Sequence, residues 1–384
     1  MKKILLMASL AMFLFSCSDE TTTSDNKNES LTVSRSCASH DVFEEQLKND
    51  PNFARKVSEI EAFTENAIAT NRLTANGTIE IPVVVNVLYR TSAENISLAQ
   101  IQSQIDALNQ DFNGSNPDFN QVPSLFSGLK ANVGVSFVLD AVNRKSTTKS
   151  SWGTRDTMKK TKRGGLDPTS PDTKLNIWVC TIGGGILGYA QFPGGSSATD
   201  GVVIDSRYFG TTGTATAPFN KGRTATHEIG HWMNLRHIWG DATCGNDQVS
   251  DTPSHNTANY GCPSYPHYST CSGNPVEMTM NYMDYTDDAC MYMFTAGQAT
   301  RMMAWYNTIS SQLQTNVLAN NDFVKNNFSI APNPNKGIFS IQLTEVTDNY
   351  SVIIIDALGR EIFNAEYNQT SDLAQNIELD NALS

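Results

Sequence analysis

One stretch constrains this chain more than any other: His227-Glu228-Ile229-Gly230-His231-Trp232-Met233-Asn234-Leu235-Arg236-His237. On a helix, His227 and His231 lie one turn apart on a shared face, so both imidazoles can reach one metal ion. Glu228 sits beside them, where a carboxylate can take a proton from water. His237 lies too far along a straight helix to join, so the chain must turn back. Asn234 suits that turn, because asparagine tolerates the left-handed conformation that ends helices. Three neutral nitrogens with one open position make a catalytic zinc site, whereas a structural site closes with a fourth protein ligand. The chain has 6 histidines, and this stretch holds three of them, which weighs against an amphipathic helix with incidental histidines.

At 384 residues, one large or two modest domains are expected once targeting segments are set aside. A formal net charge of −12 argues against a nucleic-acid partner, which would want a basic face. Residues 1–17 read as a signal peptide: Lys2 and Lys3 precede an apolar run, Ile4 to Phe15, too short to span a bilayer as a mature helix. Leu14-Phe15-Ser16-Cys17 resembles a bacterial lipobox, which would make Cys17 an acylation site and its lipid the only membrane link; ordinary signal cleavage nearby is the other reading. Ser18 to Ser30 is polar and aperiodic, hence a tether. The rest of residues 18–77 reads as a helical pro-segment. Apolar residues recur at helical spacing over Asp41 to Leu47 and Phe53 to Ile68 (Phe53, Val57, Ile60, Phe63, Ile68), with a break at Pro51. Asn71 to Gly77 looks like an exposed linker, and cleavage is expected between about Ala62 and Gly77.

The main domain should begin near Thr78. Ile79 to Arg90 is apolar and β-branched, hence a buried strand, and Ser97-Leu98-Ala99-Gln100 is a capping box for a helix with the stripe Leu98, Ile101, Ile105, Leu108 and Phe112. Val133 to Asp140, Leu175 to Thr181 and Val202 to Asp205 supply further strands. The glycine-rich stretch from Gly183 to Pro193 is either a plain surface loop or an edge to which an extended peptide adds as a strand.

After His237 the chain turns irregular and needs staples. Cys244, Cys262, Cys271 and Cys290 would form two disulfides in an oxidising compartment, with three connectivities possible. Cys180 ends a buried strand and reads as an unpaired core thiol. Asp247, Asp251 and Thr252 offer hard oxygens at calcium-like density, or form an acidic turn. Tyr285, in Asn281-Tyr282-Met283-Asp284-Tyr285, can point its hydroxyl at a developing oxyanion. Thr295-Ala296-Gly297-Gln298 caps a helix through Trp305 to about Leu313. Asp287 and Asp288 are available near a substrate pocket, but Met291, Tyr292 and Met293 follow, so an apolar preference after the scissile bond is expected.

These motifs carry a resemblance. The histidine stretch is the metzincin pattern with Asn234 in place of glycine. From Ile79 to about Leu313 the chain resembles the pappalysin family of metzincins, and its cytophagalysin branch in particular. The matching words are Ile81-Pro82-Val83-Val84-Val85, Gly188-Tyr189-Ala190-Gln191-Phe192-Pro193, the histidine stretch through Asp241, Asp251-Thr252-Pro253 and Asn281-Tyr282-Met283-Asp284-Tyr285. The resemblance implies zinc on His227, His231 and His237, Glu228 as general base, Tyr285 as transition-state stabiliser and Met283 as the Met-turn under the site. It implies disulfides Cys244–Cys271 and Cys262–Cys290, and calcium near Asp247 to Thr252. Cys37, in Ser34-Arg35-Ser36-Cys37, resembles the family's latency cysteine. Of three roles for it (zinc ligand of the latent form, disulfide partner of Cys180, inert thiol) the first is expected, with Arg35 favouring the thiolate.

Residues 317–327 read as a linker. From residue 328 to 384, strands and turns alternate, and this part resembles the type IX sorting domain of Bacteroidota, stopping short of its usual last strands. The expected fold is α+β. A metzincin domain over residues 78–316 has a twisted mixed sheet, a backing helix, a zinc helix and an irregular subdomain closed by a helix; a small C-terminal all-β domain follows. The expected function is a secreted or surface zinc metalloendopeptidase made as a zymogen, a monomer acting on proteins and peptides, its sorting domain addressing the secretion machinery. The competing class is a zinc-dependent adhesin without turnover, and intact Glu228 and Tyr285 weigh against it.

Overall fold

The structure, a computed structural model, describes residues 34–70, 79–313, 328–331, 337–343, 349–355, 361–368 and 374–379. The signal peptide with Cys17, the tether, the linker at 71–78 and the linker at 317–327 lie outside the described residues.

Five strands make the central sheet, in the order β2-β1-β3-β5-β4. They are β1 (Ile79–Tyr89), β2 (Val135–Ser146), β3 (Leu175–Cys180), β4 (Gly188–Ala190) and β5 (Val202–Asp205). Neighbours run parallel except β4, which pairs antiparallel with β5 at the edge. Period-2 alternation loads both faces. Val83, Val85, Val87, Ile177 and Val179 join one core, while Leu88, Trp178, Cys180 and Val203 join a second core. A sheet buried on both sides reads as an almost unbroken apolar run, which is how β1 reads.

Helix α3 (Leu98–Phe112) presents Ile101, Ile105, Leu108 and Phe112 to the first core. Leu98 is the exception to the expected stripe, at 59% exposed, because it is the helix's first residue and faces water. The capping box there is half formed. Ser97 Oγ accepts from Gln100 N at 3.1 Å, but the Gln100 side chain reaches Phe209 O and Thr214 instead of returning to Ser97. At α5 (Ala296–Leu313) the box closes both ways: Thr295 Oγ1 accepts from Gln298 N, and Gln298 Oε1 accepts from Thr295 N. β2 runs beyond the expected Asp140 to Ser146, held by its register on β1.

In the pro-segment, α1 (Ser39–Asn49) and α2 (Pro51–Ala69) are separated by Asp50, whose carboxylate accepts from Asn52 N and Phe53 N. Pro51 opens α2, where its missing N–H costs nothing. Phe53 is buried, whereas Phe63 and Ile68 of the expected stripe are exposed. Because α2 continues to Ala69, part of the window expected for cleavage is helical. Helix α4 (Arg223–Trp232) packs on β4, β5 and α3. Trp232 meets Trp305 of α5 edge-on at 4.7 Å.

The C-terminal part has a three-stranded antiparallel sheet, β10-β7-β6, and a two-stranded one, β8-β9. Their spans are β6 (Phe328–Ala331), β7 (Ile338–Leu343), β8 (Asn349–Ile355), β9 (Glu361–Asn368) and β10 (Ala374–Glu378). Phe339, Ile341 and Ile377 form its core, with Val352, Ile354 and Phe363 packed on them.

Candidate active site

The site is built on α4 and the turn behind it. Gly222, at φ 78°, leads into the helix, and the Asp288 carboxylate accepts from Lys221 N (2.7 Å) and Arg223 N (3.3 Å). Arg223 N, a donor that a helix start would leave bare, is thus satisfied from a distant loop, together with the preceding Lys221 N. Every residue of α4 is buried. Beyond Trp232 the chain reverses: Asn234 adopts φ 73°, and Leu235 N donates back to Gly230 O at 2.9 Å. His237 is thereby brought to the other two histidines, as the placement of Asn234 in the sequence anticipates.

His231 Nε2 lies 3.2 Å from His227 Nε2 and 3.1 Å from His237 Nε2. The other ring nitrogens are engaged by acceptors: His227 Nδ1 with Tyr282 O at 2.7 Å, His231 Nδ1 with Leu235 O at 2.8 Å, and His237 Nδ1 with the Asp241 carboxylate. Carbonyls and carboxylates only accept, so each Nδ1 carries the proton and three Nε2 lone pairs converge. Lone pairs crowded this way repel unless a cation lies among them. Ligands at about 2.0–2.1 Å from a tetrahedral zinc stand roughly 3.3 Å apart, so the observed spacings fit that ion. Burial, with the neighbouring histidines, holds His227 and His231 well below the usual histidine range, which keeps them neutral ligands. Cys37 Sγ joins the three histidines, all four ligand atoms within 4.8 Å of one another.

Glu228 is buried beside them, and burial pushes its carboxyl up to about 7. Its Oε2 accepts from Ser39 Oγ at 2.7 Å and from Cys37 Sγ at 3.2 Å. Ser39 Oγ also accepts from Ala190 N at 2.8 Å, occupying a donor on the edge strand. Cys37 bridges Gly188 in parallel fashion, with Ala38 N on Gly188 O and Leu187 N on Ser36 O. The glycine-rich stretch is therefore a sheet edge that accepts an extended peptide. A Cβ at Gly188 would lie 2.9 Å from Glu228 Cγ, so only glycine lets the edge approach the helix.

Below the histidines, Met283 is fully buried, and a Cβ on Gly230 would lie 2.5 Å from its Sδ. The Tyr285 ring packs on His237 at 4.9 Å and on Trp239 at 4.8 Å. Its hydroxyl donates to Cys37 O at 3.2 Å.

Arg35 corrects one expectation. Its guanidinium is buried, ion-paired to Asp288 at 2.6 Å, and its Nε and Nη1 donate to Thr286 O and Thr224 Oγ1. The charge is committed there and does not favour a Cys37 thiolate. Burial and then the charge of Glu228 push that thiol well above its ordinary range, so a thiolate at this position needs a cation on the histidines. Asp288, read from the sequence as available near a substrate pocket, is buried and already paired with this arginine. Met291 and Met293 instead belong to the core.

Elsewhere, disulfides join Cys244 to Cys271 and Cys262 to Cys290, each with Cα atoms 5.6 Å apart. Cys180 is free and buried. Asp247 accepts from Thr252 Oγ1 and Val249 N, while Asp251 accepts from Thr295 Oγ1 and Gly297 N at the start of α5. Sequence reading missed Ser39 and Asp241. Asp241 had a usable signal, since it stands four residues after His237 and a carboxylate commonly orients a ligand imidazole. Ser39 had none.

Fold and site define a metalloprotease of the metzincin type. Residues 176–307 match the Peptidase_M43 family, described as pregnancy-associated plasma protein-A, and residues 329–384 match the secretion system C-terminal sorting domain. The chain belongs to this pappalysin family of peptidases. An extracellular metalloprotease of Verticillium alfalfae is 36% identical over 59% of this chain and 79% of its own length. A promirolysin mutant from Tannerella forsythia is 41% identical over 73% of this chain and 97% of its own, with a TM-score of 0.67. Mature mirolysin of that organism, in complex with a cleaved peptide, is 43% identical over 64% and 98%, with a TM-score of 0.61. The protein is a secreted zinc metalloendopeptidase with a pro-segment, and its type IX sorting tail places it outside the cytoplasm of a Bacteroidota bacterium.

Proposed function

We propose that His227, His231 and His237 hold the catalytic zinc, that Glu228 is the general base, and that residues 35–39 keep the enzyme latent by imitating a substrate with a basic side chain. The observation that carries this reading is the path of the pro-segment: Arg35 on Asp288, Cys37 among the histidines, Ser39 on Glu228.

Zinc held there supplies a Lewis acid that polarises the scissile carbonyl and acidifies water. Glu228 takes the proton of the attacking water on Oε2 and passes it to the leaving amine. Burial, which raises this carboxyl in the latent form, favours a group that can hold a proton before releasing it. Tyr285 donates its hydroxyl hydrogen to the carbonyl oxygen as charge develops there, at the place the Cys37 carbonyl holds in the latent form. Ala190 N, freed from Ser39, becomes a donor for the substrate main chain along the sheet edge. Asp288 receives the guanidinium or ammonium of a basic residue next to the scissile bond. Met283 supports the underside of α4 against Gly230.

Asp247, Asp251 and Thr252 are proposed as a structural calcium position. Burial pushes the Asp247 carboxyl up to about 6, a cost that a divalent cation would remove. Acylation at Cys17 and a monomeric state complete the reading, tested by the mass of the mature N-terminus and by light scattering.

The test of the function is casein digestion with and without a zinc chelator, followed by mapping of cut sites in a denatured proteome. Activity should vanish with chelation and return with zinc, and Arg or Lys should dominate one position beside the cut. Digestion that survives complete zinc removal would refute the catalytic reading; cut sites without basic enrichment would refute the role of Asp288.

A further inference from the structure

From Ser39 the pro-segment leaves the sheet edge as helix α1, whose Phe43 rests on an aromatic seat. Gly188 and Ala190 belong to the edge strand β4, and Phe192 follows just past its end. Gly188 abuts Glu228, and the Phe192 ring lies 5.2 Å from His231, three residues further along the helix. Phe43 of α1 covers Phe192 with ring centroids 4.6 Å apart, and Phe53 of α2 meets Phe43 edge-on at 5.7 Å. Contacts advance in order along the chain: Cys37 at Gly188, Ser39 at Ala190, then Phe43, one helical turn into α1, at Phe192. Arg35 lies at the other end, on Asp288. The metal position therefore has a charged pocket on one side and an aromatic wall on the other.

We propose that Phe192 is the wall of a substrate subsite that takes an aromatic or large aliphatic side chain, on the opposite side of the scissile bond from the basic residue. Loss of the pro-segment uncovers this ring beside a ligand histidine. An apolar side chain of a substrate lying along the same edge recovers the buried area. The four-residue step from Gly188 to Phe192 spans at most about 13–14 Å of chain, so the recognised side chain stands roughly two to four residues from the cut.

The inference rests on the peptidase reading of the site, and the test separates the two. The zinc-loaded full-length precursor is matured by limited proteolysis and given a peptide library with Arg fixed in the Asp288 position. Residues two to four places away on the other side are varied among Phe, Leu, Ala and Asp. One position should favour Phe or Leu over Ala by roughly tenfold. Phe192→Ala should abolish that preference while selection for Arg stays intact. Phe192→Leu, a milder change, should keep Leu selection and lower Phe selection. In a second readout without turnover, fluorescence anisotropy on matured Glu228→Ala should show the same ranking of intact peptides, lost in the Glu228→Ala, Phe192→Ala pair. Absence of any apolar preference in the wild type, or a preference unchanged in Phe192→Ala, overturns the subsite. Loss of Arg selection with the apolar preference retained counts against the Asp288 reading alone.

Discussion

Arg35→Ala in the full-length precursor probes the latch most sharply. The wild-type guanidinium sits 2.6 Å from Asp288 with both side chains at or below 1% exposed, and it makes two further hydrogen bonds. Removing one partner of a buried pair typically costs ~3–5 kcal/mol, because the other charge is left stranded. Asp288 is not wholly stranded, since Lys221 N and Arg223 N still donate to it and water can enter the emptied pocket. The expected loss is therefore ~2–3 kcal/mol in the free energy that holds the pro-segment down. That corresponds to a ~30- to 150-fold rise in the population of open precursor. The assay is the affinity of a fluorescent zinc-directed hydroxamate for zinc-loaded precursors carrying Glu228→Ala to stop autolysis. Arg35→Ala should tighten apparent binding by that factor and Arg35→Lys by less, because an ammonium keeps the charge but loses the fork of donors. Binding unchanged within threefold would refute the argument that the Arg35 pocket holds the zymogen shut.

Glu228→Ala should keep zinc, since all three histidines remain, and lose roughly a thousandfold or more in casein turnover; near-normal turnover would remove Glu228 from its role. Gly230→Ala drives a Cβ into Met283 Sδ, so the melting temperature should fall by an amount equivalent to ~1–3 kcal/mol, and an unchanged melt would show that Met283 moves freely. Glu61→Ala breaks an ion pair with the buried Arg301, whose Nε also holds Asn234 O in the turn before His237. Hydrogen exchange should rise in α2, and equal protection would show the pair to be idle. Burial pushes Asp284 up to about 7, so the folded state binds its proton more tightly than the unfolded chain does. Stability from this group falls as pH rises from about 4 to about 7, and melting temperatures of Asp284→Asn should decline less across that window than those of the wild type.

Much of the site was legible because its chemistry is local in sequence. His227, Glu228 and His231 share one helix, and the fold needs only Asn234 in a left-handed turn to add His237. The capping box at Thr295 and Gln298 was legible for the same reason. The strands followed from β-branched runs, although β2 outran its apolar pattern because its pairing with β1 carries it. What stayed hidden was set by distant partners. Nothing near Asp288 indicates that Arg35, over 250 positions away, lies on it, so the apolar run of Met291 to Met293 drew attention away from a buried charged pair. Arg35 two residues from Cys37 suggested thiolate stabilisation, yet its guanidinium faces another wall. Ser39 has no motif, and its bond to Glu228 exists only because the sheet edge at Gly188 approaches α4. Gln100 shows the reverse case: a local capping signal lost to a tertiary partner at Phe209.

In the proposed latent form, Cys37 completes a metal position made by His227, His231 and His237 and leaves it on maturation. Zinc-edge X-ray absorption on the zinc-loaded full-length precursor measures this directly. The account predicts one sulfur at about 2.3 Å with three nitrogens at about 2.0–2.1 Å, replaced by a shell of nitrogen and oxygen alone in Cys37→Ser and in the matured enzyme. A precursor whose zinc shell holds no sulfur, or a sulfur that persists in Cys37→Ser, would contradict it.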